Sequence, residues 1–152
     1  MEPRGNASCT RMGAGVFYFS GVIVYRMKFN QIHHVAIIVS DYLRSRSFYV
    51  EKLGLPILRE TYREDRGDWK LDLQLGDSEL EIFAIPGAPV RPSYPEAQGL
   101  RHLAFRVTDI EETIRELEAR GIPCEPIRID PYTNTRMTFF HDPDGLPLEL
   151  HE

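Results

Sequence analysis

Two histidines and two glutamates in this chain share one spacing. His34 and His102 stand 68 positions apart, and so do Glu81 and Glu149. Imidazole and carboxylate groups together make a mixed nitrogen and oxygen donor set. Such a set suits a borderline divalent ion such as Zn, Ni, Co, Mn or Fe, and it is too rich in nitrogen for Ca or Mg. A lone histidine in a strand is more often a hydrogen-bonded structural residue, and a lone glutamate on a strand face is usually solvated. The common offset sets these four apart from such cases.

The offset belongs to a repeat. Ile32-His33-His34-Val35-Ala36-Ile37-Ile38-Val39-Ser40-Asp41 aligns with Leu100-Arg101-His102-Leu103-Ala104-Phe105-Arg106-Val107-Thr108-Asp109. From His34 to Asp41 every pair is identical or similar except Ile38 against Arg106. The same shift carries Leu80-Glu81-Ile82 onto Leu148-Glu149-Leu150. Nearly the same shift carries Leu53-Gly54-Leu55-Pro56 onto Arg120-Gly121-Ile122-Pro123. The chain thus reads as one domain, 29–152, made of two copies at about 29–96 and 97–152.

Each copy must position its His and Glu with the same elements. Residues 32–39 and 102–107 are β-branched and apolar and read as strands. Ser40-Asp41 and Thr108-Asp109 supply helix N-caps, with Thr108-x-x-Glu111 as a capping box. Gly54 and Gly121 end the helices, and a proline two residues later prevents continuation. Strands follow at 70–75 and 79–85, and at 136–140 and 146–151, with weaker ones at 57–63 and 125–129. Asp142-Pro143-Asp144-Gly145 is a turn. The unit is βαβββ and the fold class α+β.

Strand alternation separates the ligand candidates from the core. Leu80, Ile82 and Ala84 share one face, so Glu81 lies on the other. Leu146, Leu148 and Leu150 leave Glu149 opposite. Val35, Ile37 and Val39 leave His34 opposite, and Leu103, Phe105 and Val107 do the same for His102. The four are expected to converge on one sheet face. Among the other histidines, His33 points to the opposite face from His34 and His141 sits at a turn. His151 shares the face of Glu149 and is the only substitute ligand.

Composition excludes several function classes. The 152 residues are 42% hydrophobic and 27% charged, with a net charge of −5. No dense Lys/Arg run marks a nucleic-acid surface. Two cysteines, Cys9 and Cys124, are too few for a disulfide framework and fit a reducing cytoplasm. The apolar run Ala14–Tyr25 is too short to span a bilayer, and no A-x-A-like cleavage site follows it. Residues 1–28 are expected to be a disordered leader or a mis-assigned start, with Met27-Lys28-Phe29 as the true beginning.

The openings H-V-A-I-I-V-S-D, with Phe48-Tyr49 and Leu53-Gly54, and H-L-A-F-R-V-T-D resemble those of glyoxalase-type proteins. So does the closing F-F-H-D-P-D-G-L-P-L-E-L. The chain is identified as a member of the vicinal oxygen chelate (glyoxalase/dioxygenase) superfamily over about 29–152. It is similar in particular to the small bacterial YaeR-like group, through Tyr62-Arg63-Glu64, Arg91-Pro92-Ser93, Gly99–Phe105 and Asp130–Asn134. The resemblance implies paired βαβββ modules whose sheets curl around a metal. It implies His34, Glu81, His102 and Glu149 as ligands, and one divalent ion per site, Zn or Ni ahead of Co, Mn or Fe.

The implied activity is that of a glyoxalase I-like lyase or isomerase of lactoylglutathione lyase type. Its substrate would be a hemithioacetal of a thiol and a 2-oxoaldehyde, converted through a metal-bound enediolate. Glu149 would be the proton-transfer base, with Glu81 as its counterpart on the opposite side. Arg63, Arg91, Arg128, Tyr132, Asn134 and Arg136 are candidates for substrate binding, because they fall in loops or strand edges near the expected opening. The segment 128–136 departs from the pattern of true glyoxalase I, which argues against glutathione as the thiol. Trp69 and Phe83 are candidate pocket walls. The expected partners are a small-molecule substrate and a second copy in a homodimer, with neither nucleic acid nor membrane. The alternatives are another superfamily metalloenzyme (dioxygenase, thiol transferase or epimerase) or a metal-assisted small-molecule binding protein.

Overall fold

The structure, a computed structural model, describes residues 28–152 and, before them, only the backbone of three short strands. These are β1 (Thr10–Arg11), β2 (Val16–Phe19) and β3 (Val22–Tyr25), paired antiparallel in that order. They belong to a unit, Met1–Ile32, separate from His33–Glu152. The leader reading of residues 1–28 otherwise concerns positions outside the described residues.

In the larger unit, exposed and more buried positions alternate along β4 (His34–Val39). Asp41 then caps α1 (Tyr42–Arg46), its carboxylate accepting from the Arg44 amide at 2.8 Å. The helix runs on as a widened π turn over Ser47–Lys52 and stops at Gly54, whose φ of 76° is open to glycine at little cost. Three strands complete the first module: β5 (Ile57–Arg63), β6 (Asp68–Leu75) and β7 (Ser78–Ala84). The second module repeats the order with β8 (Leu103–Arg106), α2 (Ile110–Ala119), β9 (Arg128–Ile129), β10 (Arg136–His141) and β11 (Pro147–His151). The α+β class and the two βαβββ modules are as expected.

Two local expectations shift. The N-cap of α2 is Asp109, which accepts from the Glu112 amide at 2.8 Å, one residue beyond the Thr108 capping box. The Glu152 carboxylate takes the Ile110 amide at 3.1 Å, so a distant acceptor satisfies the first amide of the helix. The strand expected at 125–129 shrinks to Arg128–Ile129, because the Glu125 amide and carbonyl bond singly to Phe139 O and to the Thr138 hydroxyl.

Each module closes its own four-stranded sheet, in the orders β4-β7-β6-β5 and β8-β11-β10-β9. The first and last strands of a module are therefore parallel neighbours, and the remaining pairs are antiparallel. The helix and two strands between them supply the long connection that parallel strands need. Ala36 lies opposite Glu81 and Ala104 opposite Glu149, so each His sits two residues from a position facing its module's Glu. Val39, Tyr49, Leu71, Leu73, Leu80, Ile82, Ile110, Phe140 and Leu148 are almost fully buried in one core cluster shared by both modules.

Polar bonds fasten the modules at the Asp142–Gly145 turn. The buried Tyr49 hydroxyl donates to Asp142 Oδ2 at 2.9 Å. Asp144 accepts from the Ser40 amide at 2.8 Å, from its hydroxyl at 2.5 Å and from Arg44 Nη2 at 2.7 Å. Burial pushes the Asp142 carboxyl up from its ordinary value, partly offset by the Leu146 amide, the Tyr49 hydroxyl and the Asp144 amide.

Candidate metal centre

The faces read from alternation are those observed. Leu80, Ile82 and Ala84 are buried, as are Leu146, Leu148 and Leu150, while His34 and Glu81 are not. The four candidates do not converge on one face, however. Because each module closes a separate sheet, they form two pairs. His34 Nε2 is 3.7 Å from Glu81 Oε2, and His102 Nε2 is 2.9 Å from Glu149 Oε2. Two donors about 2.1 Å from one ion stand about 3.0–3.4 Å apart at octahedral or tetrahedral angles. Both pairs lie near that separation, so each fits half of a four-ligand sphere.

The pairs have different surroundings. Glu81 Oε1 accepts from Lys70 Nζ at 2.8 Å, and the same ammonium reaches Asp72 Oδ1 at 2.5 Å. Arg59 binds Asp72 at 2.7 Å and also Glu79. Asp72, Glu79 and Glu81 bring their oxygens within 4.8 Å of one another, the one such ligand-like group of three among the described residues. Burial works against the Lys70 ammonium, but bonds to Asp72 and Glu81 outweigh it and hold its pKa above the ordinary value. Burial likewise raises the Asp72 carboxyl, and the bonds from Lys70 and Arg59 outweigh it, leaving it below the ordinary value.

Glu149 has no such network. It is 6% exposed, lies opposite Phe139 in the register, and its one ion-pair partner among the described residues is His102. The His102 ring meets Phe139 edge-on at 5.4 Å.

Three residues around these pairs were missed or misplaced by sequence reasoning. Lys70 and Asp72 carry no motif; only register puts them beside Glu81. His33 does not turn its ring away. It precedes β4, so strand alternation does not govern it, and its Nδ1 lies 3.0 Å from His34 Nδ1. That contact leaves His34 Nε2 directed at Glu81. His151 shares the Glu149 face, but both ring nitrogens are engaged, by the Glu152 carbonyl at 2.9 Å and the Thr135 hydroxyl at 3.2 Å.

The six substrate-binding candidates scatter. Arg63 donates twice to Asp68, each at 2.6 Å, with its guanidinium 4.8 Å from the Phe83 ring centre on the Glu81 face. Arg91 holds the linker through the Leu100 and Arg101 carbonyls at 2.8 and 3.0 Å. Arg136 faces α2, bound to Glu152 and Glu111. Tyr132 is 95% exposed, and Asn134 occupies a left-handed turn position with φ 58°. Arg128 alone reaches the Glu149 side, 5.3 Å over Phe139. Of the two aromatic candidates, Phe83 lies on the Glu81 face. Trp69 lies on the opposite face, stacked on Tyr42 at 4.6 Å. A cavity of about 500 Å³ opens beside the free edge of β4, walled by Ile38, Val90, Leu100 and Leu146 and touching neither pair.

The profile of the "Glyoxalase/Bleomycin resistance protein/Dioxygenase superfamily" matches residues 31–150. The chain belongs to this superfamily. YaeR of Escherichia coli (strain K12) is 55% identical over 123 residues, covering 80% of this chain and 95% of YaeR. The chain is thus a member of the YaeR-like group. A glyoxalase family protein from Enterococcus faecalis has a solved structure that superposes with a TM-score of 0.79 at 60% identity, covering 83% of this chain and 100% of that one. A probable lactoylglutathione lyase of Vibrio cholerae is 28% identical over 127 residues, 82% of this chain and 91% of the relative. Superfamily members include enzymes and generally bind a divalent metal, which the two His–Glu pairs here suit in donor type and spacing. Among the described residues no helix is long and apolar enough to cross a membrane.

Proposed function

We propose that the protein is a metal-dependent lyase of glyoxalase I type, acting on the hemithioacetal of a thiol and a 2-oxoaldehyde. The observation that carries the reading is the pair of matched His–Glu half-sites. Each has a nitrogen and an oxygen donor at a separation suited to one divalent ion. A complete set needs both halves together. The donors lie on, or for His102 next to, the first and last strands of each module, and among the described residues β4 and β8 are sheet edges. We assign the completed site to a homodimer, with His34 and Glu81 of one copy facing His102 and Glu149 of a second.

A divalent ion held there, Zn or Ni in the first instance, supplies positive charge that polarises the substrate oxygens and stabilises the anion left by proton loss. The chain's own residues move the proton. Glu149 takes it from the carbon bearing sulfur and oxygen and returns it to the neighbouring carbonyl carbon, so the hemithioacetal becomes a 2-hydroxy thioester with no net gain or loss of atoms. Glu149 suits this role better than Glu81. Glu81 is already engaged by the Lys70 ammonium at 2.8 Å, whereas Glu149 has Phe139 opposite it and, among the described residues, no lysine or arginine bonded to it. His33 orients the His34 ring, as partners of metal-binding imidazoles commonly do.

The reading is tested by metal content and turnover together. Purified dimer should hold one divalent ion per four-ligand site and lose it in His34→Ala and in His102→Ala. Protein loaded separately with Ni, Zn, Mn and Fe should turn over a hemithioacetal with at least one of them. Metal stoichiometry unchanged in both variants would remove the ligand assignment. Metal binding without turnover would favour a small-molecule binding protein.

A further inference from the structure

On the strands that carry the histidines the repeat fails at one position: Ile38 in the first copy stands where the second has Arg106. The pairing register shows what surrounds each. Arg106 is opposite His151, His151 opposite Met137, and Met137 opposite Arg128. Directly opposed residues share a face, so these four make one row across the second sheet. The adjacent row on that face holds Ala104, Glu149 and Phe139. Two residues along a strand separate the rows, about 7 Å. The matching row of the first sheet is Ile38, Phe83, Lys70 and Thr61, and its single cation is already held by Asp72 and Glu81.

The cations of the second sheet are not held in this way. Arg106 is exposed, and among the described residues its guanidinium has no ion-pair partner. Among the described residues Arg128 pairs only with Glu125, at 2.9 Å, with side chains 53% and 43% exposed. Such a solvated pair contributes little. The Arg128 guanidinium leans over Phe139, the residue opposite Glu149. His151, between the two arginines, is fixed by Glu152 and Thr135. Glu149 is the only carboxylate on the two rows. Arginine presents a planar fork of donors that fits a carboxylate.

We propose that Arg106 and Arg128, at the two ends of a row about 14 Å wide, reach inward to bind a carboxylate of the substrate on the row next to that of Glu149. The assignment deepens the reading above and rests on it only for placing the reacting oxygens at that pair. The substrate class is then a 2-oxo compound, or its thiol adduct, with a second carboxylate a short chain away from the reacting carbons.

The probes are 2-oxoglutarate and its 5-methyl ester, which differ only in a remote carboxylate or ester. Each is titrated into zinc-loaded and EDTA-treated protein while backbone amide resonances are followed. Zinc-loaded protein should bind 2-oxoglutarate about tenfold or more tighter than the ester, as expected for charged hydrogen bonds. The shifts should centre on β8 and β9. Arg106→Ile, which installs the first copy's residue, and Arg128→Met should each weaken 2-oxoglutarate about tenfold while leaving affinity for the ester, zinc content and melting temperature unchanged. Equal affinity for the two probes, affinity unmoved by both variants, or no saturable binding of 2-oxoglutarate overturns the subsite. Zinc content and hemithioacetal turnover are read separately, so loss of the lyase reading leaves the carboxylate preference measurable.

Discussion

The two sheet faces share one backbone plan and differ in what surrounds the glutamate. On the first, Glu81 sits in a lattice of charge: Lys70 bridges it to Asp72, and Arg59 bridges Asp72 to Glu79. On the second, the residues at matching register are Met137 and Phe139, and Glu149 is left with His102. An internal repeat therefore does not make two equivalent carboxylates. Ligation needs only donor type and spacing, which the repeat preserves. The partners of each carboxylate depend on neighbours one strand away, which it does not.

The largest expected effect tests that asymmetry. At saturating metal, Glu149→Gln should lower hemithioacetal turnover by roughly 10²–10⁴-fold, the usual contribution of a positioned general base. Glu81→Gln should cost less under the same conditions. A larger loss at Glu81 would put the base on the first module. Replacing Lys70 by Met, the residue at the matching place in the second sheet, should narrow the difference. Turnover of Lys70→Met/Glu149→Gln is expected to rise roughly two- to tenfold over Glu149→Gln alone, within the coupling typical of contacting residues. Additive rates would show that the ammonium does not restrain Glu81.

Two aspartates give a smaller, opposite pair of pH effects. Asp72 in the first module is held below its ordinary pKa. Its contribution to stability is present above the unfolded value near about 4 and is lost as pH falls through the lower folded value. Asp142 in the second module is raised by burial. Its contribution is present below the unfolded value and lost as pH rises through the higher folded one. Denaturant midpoints measured from pH 2 to 8 should show Asp72→Asn flattening the acid limb and Asp142→Asn flattening the limb above pH 4. Parallel curves for either variant and wild type would contradict the corresponding environment. The smallest effect concerns the segment before the repeat. A chain starting at Met27 contains both copies and should keep its metal content and melt within a few degrees of the full chain; a drop of many degrees would show that the segment supports the domain.

Much of this was legible in the residues alone. The offset of His34 and Glu81 onto His102 and Glu149 marked the repeat, and alternation put Leu80, Ile82, Leu148 and Leu150 inside. Asp41, Asp109, Gly54 and Gly121 marked the helix ends to within one residue, since caps are local hydrogen-bond problems solved by local side chains. Arg63, Arg91 and Arg136 looked available for substrate and are bound elsewhere, because an arginine's partners lie at sequence distances no motif encodes.

Sequence by itself determined which residues alternate, where helices start and stop, and that one pattern of donors occurs twice. These follow from short-range periodicity and from a repeat that a linear alignment can see. Tertiary structure decided that the donors form two pairs on two sheets, that Lys70 stands beside Glu81 and Phe139 beside Glu149, and that Arg106 and Arg128 end one row. Strand register sets those neighbours, and register depends on how each crossover and turn closes its sheet, a property of the folded chain and not of any local stretch of it.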